Sequence, residues 1–313
     1  MTRIGVVGAG RVGAVLASAL RSTKSGAVHE IVAAAGESTA SRSRIDTLLP
    51  GVPVRKPTAV ARSCDLLLLT VPDDMLANVV STLVGAGAVR SGQYVVHTSG
   101  RHGLAVLEPA RRVGAHVVAM HPAMTFTGTA VDLPRLAGCV FGVTAQEEER
   151  AVAEALLGDL GGIAMFVPED KRTLYHAGLA HGANHLVTLV AQAMELLSAS
   201  GAEDPAATLR PLLAAALDNA LESGDAALTG PIVRGDVNTV AAHLQDIAAN
   251  APATLPSYVA LARATANRAV VDGRLQPIRR VKILALLDAA ESAAGLDAAE
   301  AAPAPVGAVD NRG

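Results

Sequence analysis

The sequence predicts an α/β protein: a mostly parallel sheet with helices on both faces, followed by an all-α domain. Three observations predict it. Short β-like runs alternate with helix-like runs through roughly the first half of the chain, as in a sheet covered on both sides. The first run feeds directly into Gly8-Ala9-Gly10-Arg11-Val12-Gly13, a G-x-G-x-x-G turn placed between a strand and a helix. After Pro168 only helical patterning remains, out to about residue 293.

The elements follow in order. Residues 4–7 make the first expected strand and 11–24 the first helix. Further strands are expected at 30–35, 66–71, 94–98, 116–120, 140–143 and 164–167. Val52-Pro53-Val54 adds an edge piece or a loop, since Pro53 has no N–H to give a ladder. The apolar run at 66–71 reads as a central strand covered on both faces. In the second half, the nearly continuous run 171–197 is apolar on several sides, as expected of a central helix or part of a subunit interface. Ser200-Gly201 ends it, and Asp204-Pro205 opens the next helix as N-cap and first helical residue. The expected domains are 1–168, 169–293 and a disordered Ala/Pro-rich tail, 294–313.

Composition narrows the function classes. The chain has 313 residues, enough for about two domains with substantial cores. A formal net charge of −3, no Trp, three Tyr and three Phe argue against nucleic-acid binding, which wants basic surface and stacking platforms. No apolar stretch reaches the roughly 18 residues of a membrane span, so no membrane partner is expected. Met1-Thr2-Arg3 leads straight into the first strand, and Cys64 and Cys139 make no disulfide framework; both favour a cytoplasmic location. No metal site is expected.

The glycine turn is a dinucleotide-binding fingerprint. Gly8 permits the tight turn, Gly10 lets backbone approach a pyrophosphate, and Gly13 lets helix and strand pack closely. The helix N-terminus adds free N–H groups and a positive dipole end. The residue for the adenosine ribose is Glu37, with Ser38 beside it. A carboxylate there favours NAD, whereas Ser38, Ser41, Arg42 and Arg44 are what the 2′-phosphate of NADP wants, so NAD and NADP both stay open.

Ligands bind outside the carboxyl ends of such strands. Val71-Pro72 and Ser99-Gly100 are therefore expected along the cofactor channel, and Asp73 as N-cap of a helix at 75–83. His121, in His121-Pro122, ends the following strand and is placed for acid/base work. On the first long helix Lys171, Tyr175, Gly178 and Gly182 share one face, and the two glycines suggest close approach of another backbone. Lys171 and His176 are further acid/base candidates, and Asn184 and Arg234 candidates for holding the substrate. Asp236 is expected to cap the helix that carries His243.

These segments in order are Gly8–Gly13, VPDD at 71–74, HTSG at 97–100, HPAMTF at 121–126, KRTLYHAGLAHGAN at 171–184 and LTGPIVRGDVNTVAAHL at 228–244. Together they resemble an uncharacterised family of bacterial oxidoreductase-like proteins that pair a Rossmann-like domain with a helical domain of unknown function. The chain is more distantly similar to pyrroline-5-carboxylate reductase, prephenate dehydrogenase and the β-hydroxyacid dehydrogenases. The resemblance implies a 6-phosphogluconate-dehydrogenase-like helical domain that dimerises and completes the active site. Two departures limit it. Gly36-Glu37-Ser38 stands where family members carry Ser-Arg-Ser, and Tyr175 stands where the Lys-x-x-x-Asn pair of β-hydroxyacid dehydrogenases would place Asn.

The expected function is an NAD(P)-dependent oxidoreductase acting on a small carboxylate-bearing substrate: a 2-keto, imino or hydroxy acid, ketopantoate-like among them. A homodimer through the helical domain is the expected assembly. A non-catalytic dinucleotide sensor or scaffold is the alternative, since fold does not imply function. A reduced-deazaflavin oxidoreductase is a third reading.

Overall fold

Seven strands form one sheet in the order β2-β1-β3-β4-β5-β6-β7 in a computed structural model that describes residues 2–22 and 29–295. In chain order, β1 (Thr2–Val7), α1 (Arg11–Arg21), β2 (His29–Ala35) and α2 (Thr39–Leu48) lead to α3 (Pro57–Ser63). Then come β3 (Leu66–Leu69), α4 (Asp73–Gly85), β4 (Tyr94–His97), α5 (Glu108–Arg112) and β5 (His116–Pro122). β6 (Val140–Ala145), α6 (Glu147–Leu160) and β7 (Ile163–Phe166) complete the sheet, and α7 (Arg172–Leu179) follows. All seven expected strands are present. Only the β5–β6 pair is antiparallel, setting His121 opposite Gly142.

The pleat explains the two cores. In β3, Leu66 and Leu68 face a core filled by α1, α2 and α6, while Leu67 and Leu69 face one filled by α3, α4 and α5. All four are buried, as a central strand requires. The strand stops at Leu69, two residues short of the expected end, because Thr70, Val71 and Pro72 turn toward α4. Val54 makes a single bridge to Ala34. The first helix ends at Arg21, and Lys24, its expected last residue, lies outside the described residues.

The described residues divide into two compact units, one running through Asn184 and the other beginning at His185. The first therefore takes in α7, which lies beyond the boundary expected at residue 168. The run expected as one helix over 171–197 is broken. A 3₁₀ turn, Glu169–Lys171, precedes α7, Ala180–Asn184 widens to a π-helical turn, and α8 (His185–Ala199) follows.

The second unit continues with α9 (Pro205–Ser223), α10 (Pro231–Arg234), α11 (Val237–Asn250), α12 (Leu255–Val271) and α13 (Pro277–Ala293). Asp204 caps α9 as expected, its Oδ1 accepting from Ala207 N at 2.8 Å with Pro205 in the first turn. Val240, Leu244, Val259, Ile283 and Leu287 from α11, α12 and α13 form its core. The expected tail at 294–313 lies outside the described residues beyond Gly295.

Candidate active site

The loop between β1 and α1 is built from backbone. Gly8 has φ +94°, and a Cβ on it would stand 2.7 Å from Val71 N and 2.8 Å from the Thr70 carbonyl carbon. Gly8 and Ala9 N–H both donate to the Ala35 carbonyl, at 3.0 and 2.9 Å, which ties the turn to β2 and leaves Ala9 buried. Thr70 Oγ1 donates to the Gly8 carbonyl at 2.7 Å and lies where a Gly13 side chain would go. Gly10 differs: the nearest heavy atom to a Cβ there is the Gly8 carbonyl oxygen at 3.8 Å, so its outer side is open. Gly10 is also the N-cap of α1 and brings no capping side chain. The first-turn N–H groups of α1 have no intrahelical acceptor. A narrow turn, an open glycine and uncapped donors fit a dinucleotide pyrophosphate.

A cavity of about 540 Å³ lies over this turn. Glu37, Ser38 and Ser41 line one end; Gly8, Gly10, Arg11 and Val12 the middle; Val71, Pro72, Asp73 and Ser99 the other end. The exposed Glu37 and the Ser38–Ser41 pair, whose hydroxyls lie 2.9 Å apart, thus face one volume. Asp73 is not a cap: Pro72 holds the N-cap position of α4, and Asp73 lies 3.7 Å from Arg101.

Side chains build the Ser99 end. Ser99 N–H donates to His97 Nδ1 at 3.1 Å, so the proton of this fully buried imidazole is on Nε2, which donates to the Gly103 carbonyl at 2.8 Å. Burial pushes the His97 pKa down to about 4. Its role is therefore to brace the loop, not to supply protons. The Glu169 carboxylate accepts from Leu104 N at 2.7 Å and Ala105 N at 3.1 Å.

Arg172, fully buried, reaches across from α7. Nη2 donates to the Ser99 carbonyl at 2.6 Å, and Nη1 to the Gly142 carbonyl at 3.2 Å and Thr144 Oγ1 at 3.1 Å.

Next to this clamp three aromatic rings meet. His121 Nδ1 lies 3.0 Å from the Tyr175 hydroxyl, and the His121 and His176 rings pack edge to face at 5.6 Å. Two glycines make room for them. A Cβ on Gly142 would stand 2.5 Å from Tyr175 Cζ, and one on Gly100 would collide with the His176 ring. Burial, then the neighbouring His176 and Arg172 charges, hold the His121 pKa down at about 4. Burial raises that of Tyr175. At neutral pH both groups are uncharged hydrogen-bonding partners.

Of the other expected site residues in the first unit, Lys171 and Asn184 do not line the cavity. Lys171 is exposed and pairs with Asp170 at 2.7 Å, because the residue turned inward is its neighbour Arg172. Asn184 is exposed at the end of the π-helical turn. Gly178 and Gly182 meet nothing within 4 Å, so no backbone approaches them among the described residues. In the second unit, Arg234 is exposed and pairs with Asp236 at 3.0 Å; Asp236 sits at the N-cap of α11 but makes no capping bond. Sequence reasoning missed Arg172 and Glu169, although Glu169, Arg172 and Tyr175–His176 recur at helical spacing.

Residues 1–122 match a Rossmann-like domain model, and residues 139–265 match DUF2520, a domain of unknown function. The chain carries a Rossmann-like domain and a DUF2520 domain. Among solved structures, a Bacteroides fragilis protein put forward as an NADP oxidoreductase matches with TM-score 0.71 at 23% identity, covering 85% of this chain and 98% of that one. The reductive aminase from Aspergillus terreus, solved with NADPH and ethyl levulinate, gives 0.58 at 18% identity, covering 92% and 99%. Plasmodium falciparum pyrroline carboxylate reductase with NADP bound gives 0.54 at 12% identity, covering 91% and 98%. At these identities the fold is what is shared. No curated protein matches the chain.

Proposed function

We propose that the chain is an NAD(P)-dependent oxidoreductase that moves a hydride to the C=O or C=N carbon of a small carboxylate-bearing substrate, or takes one from the C–H of the corresponding reduced acid. The class is 2-keto, imino or hydroxy acids, ketopantoate-like ones included. One observation carries this reading: a cavity runs from an open glycine turn to Ser99, where the hydrogen-bonded His121–Tyr175 pair, with His176 packed on it, adjoins the Ser99–Gly100 turn. The fold neighbours solved with NADP or NADPH support it.

The first-turn N–H groups of α1 would hold the pyrophosphate, with Ser99 and Gly100 at the nicotinamide end. When bound, the dinucleotide supplies the hydride acceptor or donor, and the protein supplies orientation and electrostatics. His121 acts as a neutral imidazole. With Nδ1 accepting from the Tyr175 hydroxyl, Nε2–H donates to a carbonyl oxygen; with Nδ1 donating to Tyr175, Nε2 accepts from a hydroxyl. Arg101, 3.7 Å from the cavity-lining Asp73, is a cation for a substrate carboxylate, the role expected of Arg234. Glu37 favours a free ribose 2′-hydroxyl and the Ser38–Ser41 pair a 2′-phosphate, so the site can accept either dinucleotide.

No helix among the described residues is long and apolar enough to cross a membrane. In the second unit α8 buries none of its residues, and Leu186, Val187 and Leu189 on it and Leu212, Leu217 and Leu221 on α9 are exposed. A second copy covering these faces gives a homodimer, which light scattering at micromolar concentration tests.

The function is tested by calorimetry with NADH and NADPH, followed by a screen of keto, imino and hydroxy acids for dinucleotide oxidation or reduction. Binding and turnover are expected. Binding without turnover on any of them supports a sensor, and no binding ends the reading.

A further inference from the structure

A guanidinium with no exposed surface, and only neutral oxygens to bond, is an expensive way to fill a core. Replacing such buried charges by well-packed apolar side chains is commonly neutral or stabilising. Arg172 is the largest fully buried side chain of the described residues, its Nε has no hydrogen-bond partner, and no carboxylate pairs with it. Stability alone does not account for it.

Its bonds point to a different task. The Ser99 carbonyl belongs to the turn after β4, whose Thr98 and Ser99 line the cavity. The Gly142 carbonyl and Thr144 hydroxyl belong to β6, the strand opposite His121 in the β5–β6 ladder. The Thr144 hydroxyl in turn donates to the Val167 carbonyl at 2.6 Å, anchoring the far side. The same helix carries Tyr175, which packs on Gly142 and bonds His121, and His176, which packs on Gly100. One side chain therefore ties together the cavity wall, the strand opposite His121 and the helix bearing Tyr175.

We propose that Arg172 is a positioning residue: it clamps the Ser99–Gly100 turn to β6 and so sets the distance between the nicotinamide end of the cavity and the His121–Tyr175 pair. This rests on the dinucleotide reading above. It assigns Arg172 no contact with substrate, since it is fully buried. The clamp also explains why the turn needs three braces: His97 holds it from within, Glu169 holds the next residues, and Arg172 holds the carbonyl facing the helix.

The experiment compares the parent with Arg172→Gln and Arg172→Lys, in the full chain. Amide hydrogen exchange reads the turn in the free protein. Calorimetry with 2′-phospho-ADP-ribose and with ADP-ribose, which lack the nicotinamide, reads the far end of the cavity. The fluorescence lifetime of saturating NADPH or NADH reads the ring. In Arg172→Gln, exchange at residues 99–105 is expected to rise at least tenfold while the strands keep their protection. The fragment Kd should stay within twofold, and the ring's lifetime should fall toward that of the free dinucleotide. Arg172→Lys keeps the charge but cannot span the three acceptors, so it should show the same loosening to a smaller degree even if the glutamine variant fails to fold. Parent-like exchange and lifetime in the lysine variant would overturn the clamp, as would fragment affinity falling by the same factor as dinucleotide affinity. Failure of the parent to bind any of these probes is a distinct outcome, striking the dinucleotide reading itself; the exchange result still decides whether Arg172 clamps the turn.

Discussion

Around Gly8–Gly13 the cavity wall is backbone, with carbonyls, N–H groups and missing Cβ atoms doing the shaping, whereas around Ser99 it is held by two buried side chains, His97 beside it and Arg172 from a helix some 70 residues further on. Each end therefore fails in its own way. The first breaks when an atom is added, and the second when an atom is removed or moved.

The largest expected effect is at the backbone-built end. Gly8→Ala must adopt φ +94° and push a methyl into the Val71 amide, so it should destabilise the fold by about 2–5 kcal/mol. It should also weaken dinucleotide binding by about two orders of magnitude, roughly 2.7 kcal/mol. Urea unfolding and calorimetry check both, and a stable, tightly binding alanine variant breaks the comparison.

The side-chain end should respond to pH where the glycine turn does not. His97 and His121 take a proton near 6.5 when unfolded but only at about 4 when folded. Between those values the unfolded chain binds more protons, so stability is full above about 6.5 and drains as pH falls through 4. Each imidazole contributes on the order of 3 kcal/mol to that loss. Unfolding free energies from pH 7 down to 4 should fall accordingly, and less steeply in His97→Gln.

Gly142→Ala perturbs the Ser99 end alone. Its methyl displaces Tyr175 without touching the glycine turn, so turnover should drop about tenfold, near 1.4 kcal/mol of barrier, with dinucleotide Kd unchanged. The smallest effect is expected at Lys171. It is an exposed partner of an exposed Asp170, so Lys171→Ala should move stability by less than about 0.5 kcal/mol and leave turnover at the parent value.

The same contrast explains what was legible in the sequence. The seven strands and the glycine turn follow from local spacing: four consecutive leucines in β3, an apolar run before Gly8 and a helix after it. The Ser99 end depends on where a helix begins. Taking 171 as a helical start puts Lys171, Tyr175, Gly178 and Gly182 on one face. A 3₁₀ turn at Glu169–Lys171 precedes the helix, and the residue that turns inward is Arg172, with Tyr175 and His176 half-buried beside it and the exposed Glu169 reaching the Leu104 and Ala105 amides. Two adjacent cations, one buried and one solvated, look alike until that phase is known. The antiparallel turn of β6, which sets Gly142 opposite His121, likewise depends on pairing between distant segments. Arg234 and Asp236 sat close enough in sequence to pair with each other, and they do.

The proposed function puts a dinucleotide along the cavity with its nicotinamide at the Ser99–Gly100 turn beside His121. A crystal structure of the chain with NADPH or NADH tests it most directly. The pyrophosphate is expected on the first-turn N–H groups of α1 and the nicotinamide ring in van der Waals contact, about 4 Å, with Ser99 or Gly100. A ring bound away from that turn, or a pyrophosphate away from Gly10, would contradict it.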